Sequence, residues 1–164
     1  MKKLIIAEKP SVSRNIADAI HAKARKDGFI EGNDYVITWA FGHLLQLYDL
    51  KDYNPDLKGW KLDYFPYIPN EFKYKIKTSD RNKDQIDTGA KKQVDIIHSL
   101  IEREDIDGII AATDDDREGQ IIFDEIALYL NTKKPIERLL LNEWTNDEVK
   151  KGLQNLRSNN EMQS

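Results

Sequence analysis

The sequence predicts an α/β protein, a mainly parallel open sheet with helices on both faces, and three observations carry that prediction. Strand-like apolar runs alternate along the chain with segments of helical periodicity. The runs at 4–7 (LIIA) and 108–112 (GIIAA) are apolar throughout, as strands buried on both faces are, rather than alternating as half-exposed strands do. The segments between successive strands are long enough for crossover helices, which parallel pairing requires.

Lys3 to Ala7 reads as the first strand, and Ser11 to about Lys26 as a helix with Val12, Ile16 and Ile20 four residues apart on one face. Asp34 to Ala40 reads as the second strand. Residues 42–72 are rich in Tyr, Pro, Asp and Gly and follow neither period, so they are expected to form a long excursion over the surface. A helix is predicted from about Lys83 to Glu102, with Ile86, Ala90, Val94, Ile97 and Ile101 along its buried stripe. Gly108 to Thr113 is the next strand, followed by a helix from about Glu118 to Leu130 that turns Ile122, Ile126 and Leu130 inward. Ile136 to Leu141 reads as a third core strand. Thr145 and Glu148 then form a T-x-x-E capping box that opens a helix with Val149, Leu153 and Leu156 inward. The expected organisation is one domain over 1–157 and a disordered tail over 158–164.

Composition excludes several classes. The chain has 164 residues, 40% apolar and 33% charged, a globular balance that allows one sizeable core. It has no cysteine, which removes disulfides, thiolate metal sites and cysteine nucleophiles and fits a reducing cytoplasm. Two lysines precede an apolar stretch at the start, but Leu4 to Ala7 is too short for a signal peptide, and no stretch reaches membrane-spanning length. The net charge of −4 argues against a general polyanion binder. Local basic groups remain at Lys23, Arg25 and Lys26, at Lys73, Lys75 and Lys77, and at Lys91 and Lys92. The middle group alternates along a strand and reads first as a lysine-guarded edge.

The stretch IIAATDDDREGQII concentrates the chemistry. An apolar strand ends in Asp114, Asp115, Asp116 and Glu118, four carboxylates that repel one another at the edge of a core unless a cation neutralises them. The N-terminus of the following helix offers only about half a charge, too little for four acids. A hard divalent cation with oxygen ligands, Mg²⁺ where phosphate is present, is the partner this donor set suits. In an extended turn, Asp114 and Asp116 point the same way as a D-x-D pair, and Gly119 leaves room for close approach. Glu8-Lys9 follows the first strand, and Pro10-Ser11 opens a helix whose first amides can hold phosphate. In an open α/β sheet both stretches belong to the ligand-binding carboxyl edge. If the two strands are neighbours, Glu8 stands across a crevice from Asp114, Asp116 and Glu118, an arrangement suited to phosphoryl transfer.

The blocks AEKPSVSRNIADAI, WAFGHLLQL, FPYIPNEFKYKI, ATDDDREGQII and RLLLNEWTNDEVKKGL occur in the order and spacing of a type IA DNA topoisomerase. The chain resembles the N-terminal Toprim domain of the topoisomerase III branch over nearly its whole length. The resemblance implies a Rossmann-like Toprim fold and a set of roles. Glu8 would assist metal binding and move a proton at the DNA 3′-oxygen. Asp114 and Asp116 would hold Mg²⁺, Glu118 would complete the acidic cluster, and Lys9 would stabilise the scissile phosphate. Ser11, His43 and Arg117 would be further DNA or phosphate contacts, with a structural role for His43 and Arg117 equally open. The family commonly has proline between the two aspartates where Asp115 stands here, which implies a looser turn and an added charge. The implied partners are single-stranded DNA and the tyrosine-bearing and gate domains of a longer enzyme. None of Tyr35, Tyr48, Tyr53, Tyr64, Tyr67, Tyr74 and Tyr129 matches the family's nucleophile motif, so the chain is expected to hold half an active site and to bind Mg²⁺ without cutting DNA.

Two other classes remain open at this point. A free-standing Toprim nuclease or primase-like enzyme would use the same carboxylates without tyrosine. A receiver-like Mg²⁺-binding module would be non-enzymatic, but it places its acid pair after the first strand, where this chain has Glu8-Lys9. Trp39 and Phe41 are expected in the core rather than as stacking platforms.

Overall fold

In chain order the elements are β1 (Lys2–Ala7), α1 (Pro10–Ala19), β2 (Ala24–Lys26), β3 (Phe29–Glu31), β4 (Tyr35–Trp39), β5 (Leu45–Leu47), β6 (Tyr74–Ile76), α2 (Thr88–Ile101), β7 (Ile106–Asp114), α3 (Arg117–Leu130), β8 (Ile136–Leu141) and α4 (Asn146–Gln163). The structure is a computed structural model that describes residues 1–41, 43–47, 74–78, 85–114, 117–141 and 143–163, without the side chains of 46, 47, 74, 114, 117, 118 and 157–163. Most of the surface excursion predicted over 42–72 lies outside the described residues.

Six strands form one sheet in the order β2-β3-β4-β1-β7-β8, and β5 pairs with β6 in a separate two-stranded ladder. β1 lies between β4 and β7, parallel to both, and β7 is parallel to β8. The short β2–β3 hairpin adds antiparallel strands at one end, so the sheet is mixed but mainly parallel, as predicted. Alternation along β1 assigns the two cores. Leu4 and Ile6 pack with Val94 and Ile97 of α2 and with Ile122 and Ile126 of α3. Ile5 and Ala7 pack with Val12 and Ile16 of α1 and with Val149 and Leu153 of α4. A strand covered on both faces has no solvent side, which is why its sequence is apolar throughout.

Several boundaries depart from the sequence prediction. α1 stops at Ala19 instead of continuing to about Lys26. His21 adopts a left-handed φ of 60° and donates its N–H to Asp18 O, while the Ala22 N–H reaches Ala17 O at 2.9 Å. This is a Schellman termination with histidine where glycine is usual, so the usual sequence signal is missing. The chain then turns back as the β2–β3 hairpin over Asp27 and Gly28. Gly28 has φ 90°, and a Cβ there would lie 2.4 Å from Cδ1 of Ile96.

α2 starts at Thr88 rather than about Lys83, because Asp87 caps it by accepting the Ala90 N–H at 3.0 Å. Ile86 therefore precedes the helix, in a bridge to Thr78, and is 49% exposed instead of lying on the buried stripe. β8 is an edge strand in which Leu139 alone is buried, not a core strand. The predicted cap at Thr145 is present: the Glu148 N–H donates to Thr145 Oγ1 at 3.4 Å. α4 is described to Gln163, where the sequence predicts a disordered tail.

A polar clamp ties α2 to the hairpin. Gln93, 5% exposed, donates through Nε2 to Trp39 O at 2.7 Å, to Thr38 Oγ1 at 3.1 Å and to Gly28 O at 3.3 Å. The Thr38 hydroxyl in turn donates to Gly28 O at 2.8 Å. At the opposite edge of the sheet, Arg103 donates both terminal nitrogens to Glu31 at 3.1 and 3.2 Å and also bonds Asp105 at 2.7 Å. Lys2 adds an ion pair to Glu31 at 2.7 Å.

The guanidinium of Arg103, with the Lys2 ammonium beside it, lowers the Glu31 carboxyl from 4.5 to about 2. A carboxyl lowered on folding contributes stability that is fully present above its unfolded value and is lost as pH falls through its folded value. The window here runs from about 4.5 down to about 2. Since a quarter of the Glu31 side chain is exposed, solvent screening reduces the expected loss to about 1–2 kcal/mol. Urea unfolding across that window should show a steeper loss of stability for the wild type than for Glu31→Gln; parallel curves would show that this network does not stabilise the fold.

Candidate functional site

The connections out of β1 and β7 run in opposite directions. α1 carries the chain from β1 toward β4 on one face, and α3 carries it from β7 to β8 on the other. The carboxyl ends of β1 and β7 therefore flank a topological switch point, where open α/β sheets form a crevice. The pair Ala7–Ala112 is in register, so Glu8 and Thr113 leave the ladder together, with Asp114 one residue further along β7. The two predicted halves of the site are neighbours in the sheet.

Glu8 is half-buried and lines a narrow cleft with Thr113, Gly119, Ile122 and Phe123. Thr113 is 2% exposed, and its Oγ1 has no hydrogen-bond partner among the described residues. It shares the strand parity of Ile109 and Ala111 and so lies on the α2–α3 face. A buried hydroxyl without a partner costs about 1–3 kcal/mol and requires an explanation.

Asp114 closes β7, paired with Leu141 of β8, and Arg117 and Glu118 open α3; the side chains of all three lie outside the described residues. Asp115 and Asp116 lie wholly outside them. The backbone thus gathers Glu8, Asp114, Arg117 and Glu118 at one sheet edge. Among the described residues no group of three His, Cys, Asp or Glu side chains converges.

Lys9 is the N-cap of α1, in extended backbone (φ −155°, ψ 158°), and its exposed side chain makes no capping bond. Pro10 occupies the first turn, where its missing N–H costs nothing. Ser11 is exposed on that turn, while the Ser13 hydroxyl donates to Pro10 O at 2.6 Å and is buried. The first turn of α1, next to Glu8, thus carries no cap from the Lys9 side chain.

His43 places its Nδ1 3.0 Å from Glu125 Oε2, which ties the segment before β5 to α3. Phe41, expected in the core, is 39% exposed, with the Lys77 ammonium 5.8 Å from its ring centre. Lys77 also lies 3.8 Å from Asp87, and Lys91 and Lys92 pair with Asp95 and Asp27 at 2.7 and 3.0 Å. The charges of these three lysines are thereby largely neutralised. The residue that sequence reasoning missed is Thr113; its signal was a polar side chain at the last core-facing position of an apolar strand.

A family model described as "Toprim domain" matches residues 3–144. Curated relatives include the DNA topoisomerase 3 of Staphylococcus epidermidis, 38% identical over 164 residues that make up 100% of this chain and 22% of the relative. The DNA topoisomerase 3 of Bacillus subtilis is 35% identical over 163 residues, 99% of this chain and 21% of the relative. The chain thus spans about a fifth of the length of the curated relatives it matches. Among solved structures, full-length topoisomerase I from Thermotoga maritima superposes with a TM-score of 0.56 at 22% identity, over 94% of this chain and 21% of that one. That likeness supports the fold. No helix among the described residues is long and apolar enough to cross a membrane.

Thr113→Val replaces the orphaned hydroxyl by a methyl of similar volume. In metal-free buffer the variant should be more stable than the wild type by about 1 kcal/mol in urea unfolding. A loss of stability would mean that the hydroxyl has a partner within the fold.

Proposed function

The chain belongs to the Toprim domain family, and from that premise we propose that it is the Mg²⁺-binding catalytic domain of a type IA DNA topoisomerase, working on single-stranded DNA in the cytoplasm. The observation that carries the proposal is the junction of β1 and β7, which sets Glu8 beside the backbone of Asp114 at the switch point. The relatives named DNA topoisomerase 3 support the class of enzyme.

The residues fit a hard cation. The donor set offers carboxylates at Glu8, Asp114 and Asp116, with Glu118 two residues on, and no soft thiolate ligand is available in a chain without cysteine. The Thr113 hydroxyl, buried at the cleft without a partner among the described residues, suits a site completed by a hydrated ion. When bound there, Mg²⁺ neutralises phosphate charge and orients the 3′-end.

The remaining work falls to the chain's own groups. Glu8 gives a proton to the departing 3′-oxygen and takes it back on resealing, the part its place at the crevice allows. Lys9 supplies a positive charge to the scissile phosphate. The first amides of α1, at Ser11 and beyond, present the positive end of the helix dipole to the same anion. Arg117 supports the phosphate or pairs with the acids around it. The attacking tyrosine and the gate that passes the second strand belong, on this reading, to other domains of a longer enzyme, so this chain alone binds metal without cutting DNA.

Thermal unfolding with and without Mg²⁺ tests the metal half. At a concentration about tenfold above its Kd, a ligand specific for the folded state adds about 1.4 kcal/mol. The double variant Asp114→Asn, Asp116→Asn should be more stable than the wild type without metal, through relief of repulsion, and should lose the response to Mg²⁺. An unchanged response would remove these aspartates from the site. Labelled single-stranded DNA incubated with the chain and Mg²⁺ should stay intact. Metal-dependent nicking abolished by Glu8→Gln would instead make the chain a free-standing Toprim nuclease.

A further inference from the structure

The two edges of the six-stranded sheet are guarded differently. β2, at one end, is three residues long, exposed throughout, and carries Arg25 and Lys26. A short, charged strand of this kind keeps an edge from pairing. β8, at the other end, has six residues, of which Ile136, Leu139, Leu140 and Leu141 are apolar. No described strand pairs with its outer side. The Ile109 N–H donates to Pro135 O at 2.9 Å, in step with the register of Ile109 against Ile136. Parallel ladders alternate, so Ile136, Arg138 and Leu140 turn their own N–H and C=O groups outward.

The side chains along that edge are apolar as well. Ile136, Arg138 and Leu140 stand opposite Ile109, Ala111 and Thr113, so all three lie on the α2–α3 face. There the Arg138 guanidinium donates to Asp124 of α3 at 2.6 Å and sits 5.8 Å from the ring centre of Phe123. The only cation of the strand is thus already neutralised, and it guards the edge poorly. Ile121 and Leu128 come three residues before and four after Asp124, one turn to either side of it on the helix. Ile121, Ile136 and Leu140 are each 39% exposed, and Leu128 is 68% exposed. One helix and one edge strand therefore hold half of the eight exposed large apolar side chains among the described residues. Single exposed apolar groups are ordinary, but a cluster beside an open ladder marks a surface for association.

We infer that β8 pairs antiparallel with β8 of a second copy of this chain, about a two-fold axis at Arg138, joining the two sheets into one. Self-complementarity selects a second copy as the occupant. A two-fold axis perpendicular to the sheet keeps every residue on its own face. With Arg138 opposite its counterpart, Ile136 meets Leu140 of the second copy and Leu140 meets Ile136, so the order apolar, charged, apolar is its own complement. An axis at Glu137 would set two carboxylates against each other, and one at Leu139 would leave Ile136 opposite no residue of β8. The two guanidiniums, each bonded to its own Asp124, form a neutral group of four charges at the axis. The two α3 helices flank the ladder on one face, with Ile121 and Leu128 bordering the cleft between them. Antiparallel joining also turns the carboxyl edges of the two copies, and the crevices they carry, to opposite ends of the pair. The inference stands on the β8 edge alone and is independent of the function proposed above.

Sedimentation velocity of the full chain at rising concentration should show its mass passing from one copy to two. Ile136→Lys combined with Leu140→Lys, checked for folding by circular dichroism, should raise the dissociation constant of the pair by about tenfold or more. Ile86→Lys, at an apolar position that is 49% exposed elsewhere, should leave it unchanged. Because the chain has no cysteine, single substitutions read the register directly. Hydrogen-bonded antiparallel partners stand about 5.5 Å apart at Cα, within the span of a disulfide. Arg138→Cys should therefore cross-link to its counterpart on mild oxidation. Glu137→Cys should not, because its counterpart lies two residues out of step, at about 8 Å and beyond that span. A chain that stays monomeric at every concentration, a lysine pair at 136 and 140 that leaves the dimer intact, or cross-linking at 137 in place of 138 would overturn the inference.

Discussion

The parallel ladder between β1 and β7 is the constraint on which the rest of the molecule depends. Leu4 and Ile5 are both fully buried although adjacent in sequence, so β1 must have a covered core on each side. That requirement sends α1 and α4 to one face and α2 and α3 to the other. With helices on both faces, right-handed crossovers leave β1 and β7 in opposite directions, and the crevice between them follows from topology without any residue chosen for it. Glu8 and Thr113 are the first side chains past the apolar ladder, so the same strands that build the core also set the position of the polar groups.

A second, smaller constraint governs the side of the sheet carrying the β2–β3 hairpin. Gln93 shares one amide nitrogen among three acceptors from Gly28, Thr38 and Trp39. Such a buried polar group stabilises one arrangement over others, because any shift of the hairpin leaves several polar atoms unpaired at once. The hairpin therefore behaves as an extension of β4 and not as a loose flap, although β2 itself is exposed along its whole length.

What was legible in the sequence follows the same physics. β1, β4 and β7 could be read because burial on both faces leaves continuous apolar runs, and the position of Glu8 and Asp114 at strand ends came with them. The α1 boundary could not: termination depends on His21 in a left-handed conformation that histidine rarely signals. The β2–β3 hairpin carried a visible cue in Asp27-Gly28, yet its strands are only three residues each, too short for an alternation to stand out from the helical pattern before it. Ile86 and Ile136 fit their periods but lie outside cover, one before the Asp87 cap and the other on an edge strand. Periodicity reports which face an element could bury, and only the assembled sheet decides whether anything covers it.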